Sequence, residues 1–197
     1  MEIIFDLALA AIGYGFGSLP FAIWVTRWLK GIDVRSAGSR HATATNTFRQ
    51  AGIGGGILVL VLDIAKGFIP VYLALTYGNS EWVAPLTAAL AVIGHCWPAI
   101  AGFRGGMGLA TSGGAILAAS LLWFFIGVGI LVLLVLLIRH SARASVVAGL
   151  ILPGAVWITG YQSQLFWIAF SVGVVVAIRF LDDWNREYHE LWLDRPN

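Results

Sequence analysis

Two polar, glycine-punctuated stretches stand out in a chain that is otherwise rich in apolar residues. Polar segment 1 covers residues 33–46 and is followed closely by Arg49, and polar segment 2 covers residues 94–111. Both supply guanidinium groups, hydroxyl groups and glycine-exposed backbone amides, which are the groups that bind phosphate in proteins. The two segments therefore predict an anion site, provided that the fold brings them together.

Polar segment 1 and the arginine that follows it concentrate donors suited to an anion rather than a cation. The candidate ligands are Arg35, Gly38, Ser39, Arg40, His41, Thr43, Thr45, Asn46 and Arg49. The planar donors of arginine match pairs of phosphate oxygens. Alternatively, these arginines only contact lipid head groups. Three arginines within a Ser/Thr/Asn cluster favour a site.

Polar segment 2 repeats this chemistry with glycines. Gly105, Gly106 and Gly108 would let backbone amides approach a ligand without obstruction, and Arg104 lies beside them. Thr111 is placed to cap the helix that follows, and a helix N-terminus preceded by glycines binds phosphate readily. Alternatively, the glycines only permit close helix packing in a membrane.

His95 lies in polar segment 2, near the end of a predicted helix. At such a position it is either a structural residue or a catalytic one. No second histidine or acid is spaced for metal ligation, so we predict neither a metal ion nor a cofactor.

The composition specifies a membrane protein. Apolar residues make up 59% of the chain, charged residues only 11%, and the mean hydropathy is +0.85. Too little polarity remains to coat a water-soluble globule. The net charge of +2 is too small to indicate a nucleic-acid partner. We expect an integral membrane protein whose first apolar segment is retained rather than cleaved.

Long apolar stretches with few charges place the membrane spans, since a helix needs about 20 residues to cross the hydrocarbon. Residues 3–28, 53–77 and 83–101 each fit one span. Residues 105–138 and 144–178 are too long for one upright helix, so each is predicted to be a hairpin, with turns near Ala119–Ser120 and at residues 160–164. The prediction is an all-α, polytopic membrane protein of one domain, residues 1–197, with about seven spans, some of them short.

The arginines set the predicted topology. With two hairpins, Lys30, the arginines of both polar segments, Arg139, Arg143, Arg179 and Arg186 all share one side. By the positive-inside rule that side is cytoplasmic. We therefore predict an N-terminus outside, a C-terminus inside and a site that faces the cytoplasm.

Asp63 and Lys66 are ionisable residues inside the second predicted span. At three residues apart they share one helical face and can pair, and at that depth they should face the bundle interior. They are interpreted as a structural ion pair. The alternative is that Lys66 belongs to the anion site.

A series of short motifs runs along nearly the whole chain. The motifs are Gly17-Ser-Leu-Pro-Phe21, Gly31-Ile-Asp-Val-Arg35, Gly38-Ser39, Ala44-Thr-Asn46, Arg49, Leu62-Asp-Ile-Ala-Lys-Gly67 with Pro70, Gly94-His95, Pro98 and Phe103-Arg-Gly-Gly-Met-Gly-Leu-Ala-Thr111. In this order they resemble the acyl-phosphate:glycerol-3-phosphate acyltransferases, the PlsY family. The resemblance implies a seven-span enzyme of the bacterial inner membrane. Such an enzyme moves a fatty acyl group from acyl phosphate to the sn-1 hydroxyl of glycerol 3-phosphate, giving lysophosphatidate and phosphate.

The resemblance also implies roles for particular residues. Ser39, Thr45, Asn46 and Arg49 would line the polar pocket, with Arg49 binding substrate phosphate and Ser39 positioning it. The glycines of polar segment 2 would cradle phosphate, and Arg104 stands where the family usually has a lysine. His95 would support the site from the third span.

Several positions depart from the family pattern. Arg40, His41 and Thr43 replace a glycine, an asparagine and a glycine, so the loop is expected to change shape. Met107 replaces a lysine, Phe180 a histidine and Asp183 an asparagine, and the last should repel a phosphate.

Three functions remain open at the level of the sequence. In the first, the chain is an acyltransferase in which Arg40 and His41 compensate for the charge lost at Met107, and it uses glycerol 3-phosphate or a related acceptor. Alternatively, the chain is a paralogue that keeps an anion pocket without acyl transfer. A transporter or channel is the third function. The sequence shows no outward-facing polar site to match the cytoplasmic one, which argues against it.

Overall fold

The computed structural model describes residues 1–160 and 164–186, and every regular element in them is helical. The α-helices are α1 Glu2–Gly17, α2 Phe21–Lys30, α3 Ala44–Tyr77, α4 Val83–Cys96, α5 Leu109–Ala119, α6 Leu121–Ile138, α7 Ser141–Ile158 and α8 Gln164–Leu181. Two 3-10 turns, Val34–Ser36 and Ala99–Ala101, lie within the polar segments.

The helices follow the predicted spans. Within the described residues, six stretches are long and apolar enough to cross a membrane: Glu2–Lys30, Ala44–Tyr77, Val83–Ala101, Leu121–Ile138, Ser141–Ile158 and Gln164–Leu181. Helix α5, at 11 residues, is the short additional segment. Ser120 separates α5 from α6 and caps α6 by accepting a hydrogen bond from the Trp123 amide, so the predicted turn is confirmed.

The first span consists of two helices, with a break at residues 18–20. Pro20 is the N-cap residue that precedes α2, where its missing amide proton costs no intrahelical hydrogen bond. The Leu19 carbonyl at the break accepts a hydrogen bond from the Lys66 ammonium at 3.0 Å. A side chain of the second span therefore stabilises the interruption in the first.

Helix α3 begins nine residues before the predicted second span and bends at Gly52, where φ is 84° and ψ is 179°. The sequence predicted a loop for Thr45, Asn46 and Arg49, but they lie on the first turns of this helix. The Thr43 side chain caps these turns by accepting a hydrogen bond from the Asn46 amide. This capping explains why the helix starts early.

Close packing between helices depends on small residues, as in other membrane bundles. Gly67 on α3 packs against the Thr111 carbonyl of α5, and Gly114 on α5 packs against the Ile64 carbonyl of α3. A β-carbon at either glycine would overlap the facing backbone. Helix α5, which follows the glycines of polar segment 2, is therefore fixed against α3.

Candidate functional site

Polar segments 1 and 2 meet at one end of the helix bundle, called here the site face. The Ala42 amide donates a hydrogen bond to the Gly105 carbonyl at 3.2 Å. Arg35 donates from its guanidinium to the carbonyls of Ala101 at 2.8 Å and Arg104 at 3.3 Å. The two polar segments therefore lie together, as the predicted anion site requires.

Arg35 was predicted to be a phosphate ligand, but its guanidinium is occupied within the protein. It donates to both carboxylate oxygens of Asp33, at 3.0 and 2.9 Å, as well as to polar segment 2. This pairing holds the pKa of the Asp33 carboxyl well below its ordinary value. Arg35 joins the two polar segments instead of facing a ligand.

Asn46 was predicted to line the pocket, but it is fully buried. Its amide nitrogen lies within hydrogen-bonding distance of the carbonyls of Val34, Ala37 and His41, at 2.8 to 3.2 Å. Because a buried amide must satisfy its donors internally, this side chain gathers polar segment 1 into a compact loop. It shapes the site and does not reach out of it.

Arg40 has a backbone φ of 59°, in the left-handed region that favours glycine. The resemblance implies a glycine at this position, and the backbone here has a conformation that favours glycine although the residue carries a long side chain. Arg40 is exposed, and Ser39 beside it is partly exposed.

The backbone of polar segment 2 uses some of the donors that the sequence assigned to a ligand. The Gly105 amide donates to the Cys96 carbonyl at 3.1 Å, and the Gly106 amide donates to the His95 carbonyl at 3.0 Å. Gly108, with a φ of 88°, is the N-cap of α5. The amides of the first turn of α5 have no acceptor within the helix, and they are the donors this segment has left for an anion.

Thr111 was predicted to cap α5, and this is wrong. The cap position belongs to Gly108, and Thr111 is fully buried where α5 meets α3. Glycine takes the cap because the chain needs a left-handed turn there.

Substitution of Gly106 by alanine should disturb this joint. An added β-carbon would overlap the His95 imidazole and lie 2.6 Å from the Ala42 carbonyl oxygen. Because both neighbours are buried, we expect a loss of about 1–3 kcal/mol in stability. Thermal unfolding of the purified protein in detergent measures it. Gly54→Ala is the control, since nothing lies within 4 Å of its added carbon, and an equal midpoint for the two variants would contradict the prediction.

A buried polar group lies directly behind the glycines. The Lys66 ammonium is 2.9 Å from the Asp63 carboxylate, and His95 Nδ1 is 3.7 Å from the same carboxylate oxygen. The three side chains are at most 4% exposed. The predicted contact between Asp63 and Lys66 is thus present, and His95 joins it. All three line a small cavity with Gly105 and Gly106.

The segment that follows α8 forms a charged network with polar segment 1, which sequence reasoning missed. The Asp183 carboxylate lies 2.8 Å from His41 Nε2, and Arg186 donates to the Ser39 carbonyl at 2.7 Å. Arg179 donates to the Gly106 carbonyl at 3.1 Å. The sequence predicted that Asp183 would repel phosphate, but its charge is offset by Arg186 at 3.3 Å.

Two of the unusual residues lie in the apolar core. Met107 is 7% exposed and Phe180 is 4% exposed, and both belong to the same cluster of buried side chains. Neither reaches the polar surface. The two positions at which the resemblance implies a lysine and a histidine therefore carry buried apolar side chains here.

The remaining predicted ligands lie at the site face. Thr45 and Arg104 are exposed, and Arg49 is partly buried and engaged by another group. Both ring nitrogens of His41 contact protein groups, so His41 does not face a ligand.

An apolar cavity opens between α5, α6, α7 and α8. Leu109 and Ser112 line the cavity from the first turns of α5, directly after the glycines of polar segment 2 in the sequence. Most other lining groups are aliphatic or glycine. The cavity has the chemistry of an alkyl-chain site beside the polar segments.

Known proteins resemble the chain over most of its length. A family model described as glycerol-3-phosphate acyltransferase matches residues 7–190. Relatives of that name from Parasynechococcus marenigrum (strain WH8102) and Aquifex aeolicus (strain VF5) are 35% and 34% identical. They cover 90% and 91% of this chain and 84% and 94% of their own. The relative from Shigella flexneri is 36% identical, over 92% of this chain and 89% of its own.

The fold agrees with these relatives. A crystal structure of PlsY (YgiH), described as an integral membrane glycerol 3-phosphate acyltransferase in its glycerol 3-phosphate form, superposes with a TM-score of 0.82. It is 32% identical and covers 92% of this chain and 90% of its own. The lysophosphatidic acid form gives a TM-score of 0.81. On sequence and fold together, the chain belongs to the glycerol-3-phosphate acyltransferase family.

Proposed function

We propose that this protein transfers a fatty acyl group from acyl phosphate to a hydroxyl of glycerol 3-phosphate or a closely related acceptor. The observation that carries the proposal is the meeting of two polar, arginine-bearing segments beside an apolar cavity. The polar face suits the phosphates of both substrates, and the cavity suits the acyl chain.

The reaction needs little from the protein beyond positioning and charge stabilisation. The acceptor oxygen attacks the acyl carbon, the bond from that carbon to the phosphate oxygen breaks, and phosphate leaves. The proton of the acceptor hydroxyl passes to a phosphate oxygen of the donor, so no basic side chain is required. An acyl phosphate is already activated, and orientation and oxyanion stabilisation supply the remaining rate enhancement.

The proposed roles follow from where the side chains lie. Arg49, Arg40 and Arg104 provide positive charge for substrate phosphate at the site face, and Ser39 positions it. His95 supports Gly106 from behind. The amides of the first turn of α5 provide further donors.

The orientation in the membrane is proposed from charge. The polar segments, Arg139, Arg143 and Arg179 lie at or near the site face, which by the positive-inside rule is cytoplasmic. We therefore place the protein in a bacterial inner membrane with its site open to the cytoplasm.

The second candidate is a paralogue that binds phosphate without transferring acyl groups. The observation that favours it is the burial of Met107 and Phe180, which removes two polar groups from the site. It predicts a folded protein that binds glycerol 3-phosphate and releases no phosphate from acyl phosphate.

The direct test uses purified protein in detergent with long-chain acyl phosphate and glycerol 3-phosphate. We expect release of inorganic phosphate that depends on the acceptor, together with formation of lysophosphatidate. Several acceptor alcohols are tried in parallel. A folded protein that is inactive with every acceptor would establish the second candidate.

A further inference from the structure

Arg40 combines features that a loop arginine does not normally have together. Its φ of 59° is a conformation that costs free energy for any residue except glycine. Its side chain is exposed and makes no hydrogen bond or ion pair within residues 1–160 and 164–186. Strained backbone persists only where the surroundings hold it.

A second left-handed arginine shows what an ordinary case looks like. Arg139, with a φ of 54°, follows the last residue of α6, and its amide closes that helix by donating to the Val135 carbonyl. A left-handed residue is common at this position. Arg40 follows no helix, and its amide closes only a turn to the Ala37 carbonyl at 3.2 Å.

The residues on both sides of Arg40 are held by the segment after α8. Arg186 donates to the Ser39 carbonyl at 2.7 Å, and Asp183 pairs with His41 at 2.8 Å. Arg186 also contacts Asp183 at 3.3 Å. The residue between the two held positions thus has little freedom to relax.

Both ring nitrogens of His41 contact charged side chains of α8 and of the segment that follows it. Arg179 lies 3.3 Å from His41 Nδ1. His41 Nε2 lies 2.8 Å from the Asp183 carboxylate and 2.9 Å from the Arg186 guanidinium. Because both nitrogens are occupied, His41 is a fixed link between polar segment 1 and the end of α8.

We propose that Asp183 and Arg186 are positioning residues that hold Arg40, through Ser39 and His41, as a phosphate-binding cation of the site. The ligand class is a phosphomonoester or acyl phosphate. The inference rests on the proposed function and names how this chain supplies charge that Met107 does not. Arginine is suited to the task because its planar donors bind two phosphate oxygens at once.

A double-mutant cycle tests the coupling. Arg40→Gly removes the guanidinium and relieves the backbone strain, and Asp183→Asn removes the charge that fixes His41 with little change of shape. Each single variant should raise the KM for one of the two substrates by about tenfold, with kcat changed less than about threefold. The KM values for acyl phosphate and glycerol 3-phosphate are measured separately, which identifies whose phosphate Arg40 binds.

The double variant should be no worse than the poorer single variant, because Asp183 acts only through Arg40. If the increases in KM caused by the two single substitutions multiply in the double variant, the proposal is overturned. Arg139→Gly is the matched control: it relieves the same backbone strain elsewhere and should leave both KM values unchanged. An effect that acts only through stability would also appear in Arg139→Gly. It would not raise KM while leaving kcat nearly unchanged.

A binding arm keeps this test independent of acyl transfer. Calorimetric titration with glycerol 3-phosphate and with inorganic phosphate should show weaker binding in Arg40→Gly and in Asp183→Asn than in the unmodified protein. If the unmodified protein transfers no acyl group but shows this pattern, the proposed function fails and the positioning role stands. Unchanged binding of both probes, with unchanged KM values where transfer occurs, would overturn the positioning role alone.

Discussion

Replacement of Arg49 by alanine is expected to lower kcat/KM for acyl transfer by at least about 100-fold, the loss that follows from removing about 3 kcal/mol of charge-assisted hydrogen bonding. Arg49 lies on the first turns of α3, held by the Thr43 cap and ahead of the bend at Gly52. A guanidinium on a helix is positioned more rigidly than one on a loop. Release of phosphate from acyl phosphate in the presence of glycerol 3-phosphate measures the effect.

The conservative variant Arg49→Lys separates charge from geometry. Lysine keeps the positive charge but binds as a point charge, so we expect activity between that of the alanine variant and that of the unmodified protein. Arg139→Ala, which removes an exposed arginine outside the polar segments, should retain full activity. An alanine variant at position 49 that unfolds at the normal temperature and keeps more than a third of the activity would rule out a substrate-binding role.

The membrane spans could be predicted because hydrocarbon imposes a simple rule on the sequence. Uncharged runs of sufficient length must be helical, and arginine positions decide whether a long run is one helix or two. The predicted turn near Ala119–Ser120 lies between α5 and α6 as expected. The start of α3 was missed because a side-chain cap extends a helix beyond the apolar run.

The contacts of the site were harder to predict because they join distant parts of the chain. His41 and Asp183 are 142 residues apart, and nothing local in either segment reveals the pair. Read in isolation, Asp183 is a repulsive charge. In the structure it is a partner, because Arg186 is three residues further along and within 3.3 Å. The i,i+3 spacing of these two residues was the available signal.

The roles of individual polar residues could not be read from their type. Asn46 and Ser39 both suit a phosphate, but Asn46 is fully buried and bonded to loop carbonyls, whereas Ser39 is partly exposed. The sequence also treated Met107 and Phe180 as separate losses. They belong to one apolar cluster, so the two changes are mutually compatible in packing.

Replacement of Lys66 by methionine is expected to destabilise the protein by about 3–5 kcal/mol, the usual cost of leaving one member of a buried ion pair without its partner. The Lys66 ammonium is 2.9 Å from Asp63, both side chains are at most 3% exposed, and the ammonium also holds the Leu19 carbonyl. The unfolding midpoint in detergent should fall accordingly. The variant Asp63→Leu/Lys66→Met should recover part of this loss, since it removes both charges together and forfeits only the bond to Leu19.

The same double variant decides between the two interpretations of Lys66. If the pair is structural, the folded double variant should keep the KM for glycerol 3-phosphate within about threefold of the normal value, because no substrate contact is lost. If Lys66 belongs to the anion site, the KM should rise although the fold has recovered, since His95, Gly105 and Gly106 line the same small cavity. A double variant as unstable as Lys66→Met would refute the electrostatic coupling itself. The observed destabilisation would then reflect the lost bond to Leu19 at the break in the first span.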